Sequence, residues 1–337
     1  MIRPPERTES FRGRRPSGRE RQKETIRRGR WAVKRLGPAL LAAALALAPG
    51  RAADTPELAT RSLLLDAQAA GHVLFAVGAY GHILRSGDDG RTWEVAAVPT
   101  QSTLTAICFP DDRHGWAVGH DAQILHSDDG GRTWTRQYQG PDLDSPLLSV
   151  LFLDAETGFA VGAYSQFLAT ADGGRHWTAR RIIEQDRHFN RITVGPAGTL
   201  YIAGEQGTLL RSTDRGATWQ PIPSPYNGSF YGVLPLDPRT LLAYGLRGRI
   251  YRSEDDGGTW QLVPVVAQGV LATAVRLPSG VVVVGGAPRT FVVSRDAGRS
   301  FAAWEPGLTT PIAELVATAD GRLLAFGEAG LTVLPAP

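Results

Sequence analysis

Apolar and polar residues alternate along most of this chain in short runs, a pattern typical of half-buried β-strands. In one stretch the predicted strands cover residues 104–109, 115–119, 123–126 and 134–138, with turn residues between them. Matching runs return at 159–162, 200–204, 241–245 and 281–285. The pattern predicts an all-β protein built from a repeated unit of four antiparallel strands.

A short polar motif marks the turn between the third and fourth strand of the unit. Its pattern is S/T-x-D-x-G-x-x-W/F, and the intervals between successive copies are 41, 43, 42, 41 and 41 residues. A period near 40 residues with four short strands is typical of β-propeller blades. The six copies of this Asp box begin at Ser86, Ser127, Thr170, Ser212, Ser253 and Ser294.

We interpret the Asp boxes as structural. The Ser or Thr and Asp oxygens can accept hydrogen bonds from turn N–H groups, and the Gly supplies a positive φ. The aromatic residue is expected to be mostly buried between neighbouring blades. No box has the additional acidic ligands of an EF-hand, so we expect no calcium site. The residues concerned are Asp88, Trp93, Asp129, Trp134, Asp172, Trp177, Asp214, Trp219, Asp255, Trp260, Asp296 and Phe301.

The repeat after the sixth box has only three predicted strands, at 312–317, 323–327 and 331–334. An open strand edge would template aggregation, so we expect residues around 55–61 to supply the outermost strand and close the ring. The predicted fold is a seven-bladed β-propeller of four-stranded antiparallel blades over residues 54–337.

Residues 1–53 are predicted to be an N-terminal extension with a signal peptide. A positive stretch at 27–35 precedes an apolar core at 36–48, and small residues follow at Ala52 and Ala53. An apolar run of 13 residues is too short to span ~30 Å of hydrocarbon. We expect export to the periplasm, or an equivalent lumen, and cleavage near Ala52 or Ala53. Both the Sec and the twin-arginine routes stay open.

The positive charge of the chain lies in this extension, which holds 14 Lys+Arg and 4 Asp+Glu. Residues 54–337 hold 22 basic and 29 acidic residues, a net charge of −7, which argues against a nucleic-acid partner. Cys108 is the only cysteine and alternates like a buried strand residue. No histidine pair has the spacing of metal ligands, so we expect neither a metal nor a cofactor.

The segments GWAVGHDAQILHSDDGGRTW (115–134) and GFAVGAYSQFLATADGGRHW (158–177) resemble the photosystem II stability and assembly factor family. The resemblance covers roughly residues 60–337. It implies a seven-bladed Asp-box propeller that catalyses no reaction and binds a membrane-protein precursor on the lumenal side. The expected partner is therefore a membrane protein or a subunit of an envelope complex, bound by a monomer.

Asp boxes also occur in sialidases and xyloglucanases, so a glycoside hydrolase is one alternative; a structural or envelope-accessory propeller with no single partner is another. A sialidase needs three arginines, a Tyr nucleophile with its Glu, and an acidic Asp. Its Arg-Ile-Pro landmark is absent, because no Pro follows the Arg-Ile pairs at Arg181, Arg191 and Arg249. We therefore predict no catalytic residue, although a glycan stays open as a ligand.

The turns between the second and third strands vary where the rest of the repeat does not. They lie on the face opposite the Asp boxes and offer Tyr and Arg, residue types enriched at binding hot spots. Arg247, Arg249 and Arg289 would form a positive arc for an acidic segment or an anionic glycan. Solvated turn tips are the alternative interpretation. The partner-binding candidates are Tyr80, His120, Asp121, Tyr164, Glu205, Arg247, Arg249, Arg289 and Glu328.

The least regular segment is the insert at 179–191, between the third and fourth blades. It carries Arg180, Arg181, Arg187 and Arg191. These arginines either meet an acidic partner segment or belong to a solvated, charged edge strand, and we favour the second.

Overall fold

Residues 55–337 form seven antiparallel sheets in the computed structural model, six of four strands and one of three. The predicted seven-bladed propeller is therefore confirmed. The predicted signal peptide and its cleavage site lie outside the described residues. Within residues 55–337, no helix has the length and apolar character needed to cross a membrane.

The described chain begins with the short helix α1 (Pro56–Ala59), and the strands follow blade by blade. Blade 1 contains β1 (Leu64–Ala70), β2 (Val73–Gly78), β3 (Ile83–Ser86) and β4 (Glu94–Val95). Blade 2 contains β5 (Leu104–Cys108), β6 (Gly115–Gly119), β7 (Gln123–Ser127) and β8 (Thr135–Gln139). Blade 3 contains β9 (Leu147–Phe152), β10 (Gly158–Gly162), β11 (Phe167–Thr170) and β12 (Thr178–Ala179). Blade 4 contains β13 (Phe189–Val194), β14 (Leu200–Gly204), β15 (Leu209–Ser212) and β16 (Gln220–Pro221).

The remaining blades keep the same order. Blade 5 contains β17 (Phe230–Pro235), β18 (Leu241–Gly245), β19 (Ile250–Ser253) and β20 (Gln261–Val263). Blade 6 contains β21 (Leu271–Arg276), β22 (Val282–Gly286), β23 (Phe291–Ser294) and β24 (Ala302–Ala303). Blade 7 contains β25 (Ile312–Ala317), β26 (Leu323–Gly327) and β27 (Gly330–Leu334). The first strands of neighbouring blades contact one another around the ring, β25 with β1 included, so they line the central channel.

The hydrophobic core is divided into clusters that each join two neighbouring blades. Between blades 2 and 3, the rings of Trp116 and Phe152 stack with their centroids 3.5 Å apart. The ring closes in the same way, because Leu64 of blade 1 packs in one cluster with Leu324 and Phe326 of blade 7. Apolar burial between blades 7 and 1 therefore helps to hold the ring shut, and the ion pair of Arg91 with Asp320 joins the same two blades.

The hydrogen bonds that a structural Asp box requires are present, as the blade 5 copy shows. Ser253 Oγ accepts from the Gly257 N–H at 2.8 Å and donates to Asp255 Oδ1 at 2.8 Å. Asp255 also accepts from the N–H and the hydroxyl of Thr259, both at 2.8 Å. These bonds lower the pKa of Asp255 to about 2. Gly257 has φ +87°, a conformation that side chains disfavour.

The aromatic residue of each box packs against the preceding blade. Trp93 of blade 1 meets Phe326 of blade 7 edge to face at 6.1 Å, and Trp177 of blade 3 joins the blade 2 cluster around Trp116. Trp134 is buried, whereas the other four tryptophans and Phe301 are partly exposed. The boxes therefore fasten one blade to the next as well as closing their own turns.

Blade 7 has no fourth strand among the described residues, so the expected strand from residues 55–61 is wrong. Those residues form α1 instead, because Thr55 caps the helix N-terminus and Pro56 favours the first helical position. A single hydrogen bond joins the segment to the blade, from the Leu331 N–H to the Thr60 carbonyl at 2.8 Å. The aliphatic side chain of Ala59 is buried in the cluster between blades 7 and 1.

Candidate functional site

The turns between second and third strands present their side chains from a strained backbone. In blade 1, the His82 N–H donates to the Ala79 carbonyl at 3.1 Å, and Tyr80 has φ +60°. Its ring is 59% exposed. The same left-handed conformation holds Asp121, Tyr164, Gln206 and Arg247. Non-glycine residues adopt it rarely, so these side chains are held in place by tight turns rather than by flexible loops.

The candidates on this face divide into exposed and internally bonded side chains. Asp121 is half-buried and accepts a hydrogen bond from Ser102 Oγ. Glu205 is half-buried and accepts from the His188 N–H at 3.1 Å. Glu328 lies in a shorter two-residue turn between β26 and β27. The exposed candidates are Tyr80, His120, Tyr164, Arg247, Arg249, Arg289 and Glu328.

Three arginines on neighbouring blades remain available for a partner. Arg247 and Arg249 flank Gly248 in blade 5, and Arg289 occupies the corresponding turn of blade 6. All three are exposed, and the side chain of none of them forms a hydrogen bond or ion pair with residues 55–337. Guanidinium groups held in this way can bind carboxylates through paired N–H donors. We refer to Arg247, Arg249 and Arg289 as the arginine arc.

Three arginines of the insert, Arg180, Arg187 and Arg191, bond groups elsewhere in the chain, and the predicted edge strand is wrong. Arg180 donates to the Gly216 carbonyl at 3.0 Å and stacks over the Phe167 ring. Arg187 donates to Thr208 Oγ1 at 3.2 Å. Residues 180–188 form no edge strand, because Ile182 and Ile183 turn inward against the cluster between blades 3 and 4.

A cavity of about 500 Å³ lies beside the insert, between blades 2 and 3. Tyr138, Pro141 and Tyr164 form part of its wall, and Asp186 of the insert lies at its other side. The Tyr164 turn is fixed to the insert, since the Ser165 N–H donates to the Arg187 carbonyl at 2.8 Å. Tyr164 is therefore a predicted contact that borders a cavity of about 500 Å³.

The channel contains a charged cluster that the sequence analysis missed. The first strand of each blade contains a β-bulge, and the residue just after the bulge occupies an equivalent position in every blade. In blade 4 this residue is Arg191. Arg191 forms an ion pair with Glu314 of blade 7, and its Nη2 lies 3.6 Å from Asp66 Oδ1 of blade 1. The seven equivalent residues are Asp66, Ala106, Ser149, Arg191, Gly232, Thr273 and Glu314.

Neighbouring groups complete this channel cluster. Thr273 Oγ1 donates to Glu314, and the Ile107 N–H donates to Asp66 Oδ2 at 2.9 Å. In blade 5 the equivalent residue is Gly232, which has no side chain, and the Tyr244 hydroxyl occupies the space instead. A Cβ on Gly232 would lie 2.2 Å from that hydroxyl. The sequence signal was a position, polar in five of the seven blades, that recurs at intervals of 40 to 43 residues.

Burial and the charge balance of the cluster determine its protonation. Two carboxylates share one guanidinium, and the Asp66 side chain is only 14% exposed. Burial, followed by the nearby Glu314 charge, raises the pKa of Asp66 to about 7 against the lowering effect of Arg191. Burial likewise raises the pKa of Tyr244 to about 12. The cluster joins blades 1, 4 and 7 across the channel and leaves neither carboxylate free.

Nothing in the described part of the chain assembles a metal centre. No group of three or more His, Cys, Asp or Glu side chains within residues 55–337 is arranged to hold an ion. The site therefore offers binding chemistry from guanidinium and phenol groups rather than a metal.

A family model described as photosynthesis system II assembly factor YCF48 matches residues 85–143 and 137–310. These matches cover all six Asp boxes, the whole of blades 2 to 6, and blade 1 from Arg85 onward. The chain belongs to the YCF48 family. The resemblance seen in the Asp-box segments is thereby confirmed.

Solved YCF48 structures share the fold. One, described as YCF48 bound to D1 peptide, superposes with a TM-score of 0.67 at 18% identity, covering 82% of this chain and 94% of its own. YCF48 from Cyanidioschyzon merolae gives 0.67 at 16% identity, covering 81% and 95%. The WD40 propeller domain of Doa1 gives 0.65 at 13% identity, covering 81% and 92%. The search of curated proteins found no match. Because Doa1 superposes almost as well, these structures show only that the fold is shared, and the family rests on the sequence match.

Proposed function

We propose that this chain is a non-catalytic binding factor that holds an acidic segment of a membrane protein on its arginine arc. The proposal rests on the arginine arc. Its three arginines are exposed on adjacent rigid turns, and their side chains form no ion pair within residues 55–337. Membership of the YCF48 family supports a role in assembly, and one family structure holds a D1 peptide. Tyr164 and Tyr80 add exposed aromatic surface on the same face.

We place this activity outside the cytoplasm, in the periplasm or an equivalent lumen. The support is the signal-peptide pattern of residues 1–53. Residues 54–337 carry a net charge of −7, so the arginine arc is a positively charged patch on an acidic protein. An acidic partner segment is therefore attracted to the arc and repelled by the rest of the surface.

A hydrolytic function has weak support in the channel. Asp66 and Glu314 are carboxylates that approach each other, as a glycoside hydrolase requires. Both contact the guanidinium of Arg191, and their side chains are 14% and 6% exposed. A catalytic pair must flank a bound sugar, with one carboxyl free to donate a proton. This pair lacks that freedom, so we propose no reaction.

The binding proposal is tested by reversing the charge of the arc. The change Arg247→Glu with Arg289→Glu should weaken binding of the D1 peptide at least tenfold, measured by fluorescence anisotropy, because it removes two guanidinium donors and reverses their charge. Exposed turn changes of this kind cost within ~0.5 kcal/mol, so the melting temperature should stay within about 1 °C.

The matched control is Arg175→Glu with Arg295→Glu. Both residues are exposed on Asp-box turns, at the opposite face, and neither forms a hydrogen bond or ion pair within residues 55–337. This pair makes the same change in net charge and should leave peptide binding unchanged. Equal binding by wild type and the arc variant would refute the site.

A further inference from the structure

Among residues 55–337, no strand covers the outer edge of blade 7, whereas a fourth strand covers that edge in the six other blades. In blade 1, β4 covers β3 by pairing Val95 with Leu84 and Glu94 with Arg85. Leu84 and Arg85 in turn pair with Ala76 and Phe75 of β2. In blade 7 the corresponding residues of β27 are Thr332 and Val333, which pair with Ala325 and Leu324 of β26. The repeat thus shows where a fourth strand would lie.

The outer edge of β27 carries open hydrogen-bonding groups. In an antiparallel strand, the N–H and C=O of one residue point to the same edge, and those of the next residue point to the other edge. Leu331 points outward, since its N–H donates to the Thr60 carbonyl, and Val333 is the next residue with that direction. Val333 is 53% exposed, and no strand of residues 55–337 pairs with this edge.

The chain's own residues 56–59 do not cover this edge. They form α1, with the Leu58 N–H donating to the capping Thr55 Oγ1 at 3.4 Å. Thr60 is the helical C-cap of α1, and its only hydrogen bond to blade 7 within residues 55–337 is the one it accepts from Leu331. Beyond Leu334, Pro335 has no N–H to offer, so the accessible edge is confined to residues 332–334.

We propose that the outer edge of β27 binds an extended segment of a partner protein as an antiparallel fourth strand. Strand addition of this kind takes its affinity from main-chain hydrogen bonds and its selectivity from alternate side chains. The paired length is short, but β4, β12, β16 and β24 show that two residues suffice in this fold. That the added strand comes from a partner protein rests on the proposed function. The observation that the edge is open does not depend on it.

A neighbouring cavity indicates which side chain the added strand would carry. In blade 1, Val95 of the fourth strand packs toward the preceding blade. The residue opposite Thr332 would likewise face blade 6, where a cavity of about 310 Å³ is lined by Val293, Ala302, Trp304 and Pro337 among others. An apolar side chain at that position fits this lining.

An extended peptide suits the edge better than a second folded copy. Thr60 and Arg61 lie over one end of β27, since a Cβ on Gly330 would meet the Thr60 carbonyl at 2.0 Å. Pro335 ends the edge at the other side. If two copies paired through their β27 edges, Thr60, Arg61 and Pro335 of both copies would crowd the interface. A free peptide strand would meet these residues of one copy only.

The experiment follows the Val333 amide by hydrogen exchange in the full chain. The probe is a synthetic peptide with the sequence of residues 258–265, which contains the fourth strand β20. Free protein should exchange this amide rapidly, and saturating peptide should slow it at least tenfold. Val333→Pro should weaken peptide binding at least tenfold, because it removes the outward N–H without breaking a bond to β26. Val333→Ala keeps that N–H and should bind within about threefold of wild type.

Three results would overturn the proposal. Protection of Val333 in the free chain at every concentration would mean that the chain's own N-terminal residues occupy the edge. Protection that rises with protein concentration would mean a second copy does so. Absence of protection by 1 mM peptide, or equal binding by Val333→Pro, would mean the edge accepts no strand. The arc variant should bind this peptide normally, so its loss of D1 peptide binding tests the proposed function separately.

Discussion

The channel cluster makes a strong prediction about stability, because one cation balances two buried carboxylates. Arg191→Met keeps most of the side-chain volume but removes the guanidinium. Asp66 and Glu314 would then lose their shared counter-charge at 14% and 6% exposure. Removing one partner from a buried ion pair costs about 3–5 kcal/mol. At roughly 2–4 °C per kcal/mol for a domain of this size, the melting temperature should fall by about 10 °C at pH 8.

The loss should depend on pH and on charge. Thermal unfolding followed by circular dichroism at pH 8 and pH 5 should show a smaller loss at pH 5, where the carboxylates without Arg191 can take up protons. The triple change Asp66→Asn, Arg191→Met and Glu314→Gln leaves no charge to bury, and it should recover most of the stability. Neutral residues of similar volume often replace buried ion clusters without cost.

Two outcomes would refute this reasoning. A melting temperature for Arg191→Met within about 1 °C of wild type at pH 8 would show that the cluster does not hold blades 1, 4 and 7 together. A triple variant as unstable as Arg191→Met would show that lost packing, rather than unbalanced charge, causes the effect.

Three further predictions follow from single residues. The folded pKa of Asp66, about 7, exceeds its ordinary value of 3.8, so its contribution to stability is complete below pH ~4 and is lost as pH rises through 7. Asp66→Asn should flatten that slope in melting temperatures measured from pH 4 to pH 8. Trp177→Ala should cost about 3 kcal/mol in denaturant unfolding, since its ring meets Phe152 edge to face at 5.8 Å, while Trp177→Phe should cost less because Phe301 serves in the same position. Cys108 should resist thiol reagents until the chain unfolds, because burial raises its pKa to about 12; rapid labelling of the native protein would contradict this.

Much of the fold could be predicted from local pattern. Strand alternation, the Asp-box period and the position of each box define seven blades without any knowledge of contacts between them. The turn hydrogen bonds of Ser253 and Asp255 join residues two to four positions apart, which is why a short motif reveals them. The exposure of Arg247 and Tyr164 also follows from their place in turns that interrupt the repeat.

The insert shows where such reasoning stops. Its charge pattern predicts a solvated edge, but Arg180 and Arg187 find carbonyl and hydroxyl partners on blade 4, about 20 to 36 residues away in sequence. Whether these arginines face solvent or a partner depends on carbonyl and hydroxyl groups that neighbouring turns leave open. The composition of residues 179–191 contains no information about those groups.

Residues far apart in sequence account for the rest. The ring closes where Leu64 packs against Leu324 and Phe326, more than 250 residues further along the chain. The channel cluster joins Arg191 to Glu314, which is 123 residues further along the chain. The sequence by itself determined the blades, because alternation and turns act over a few residues. Only the closed ring decided which charges meet in its channel, because that depends on how seven blades are placed around one axis.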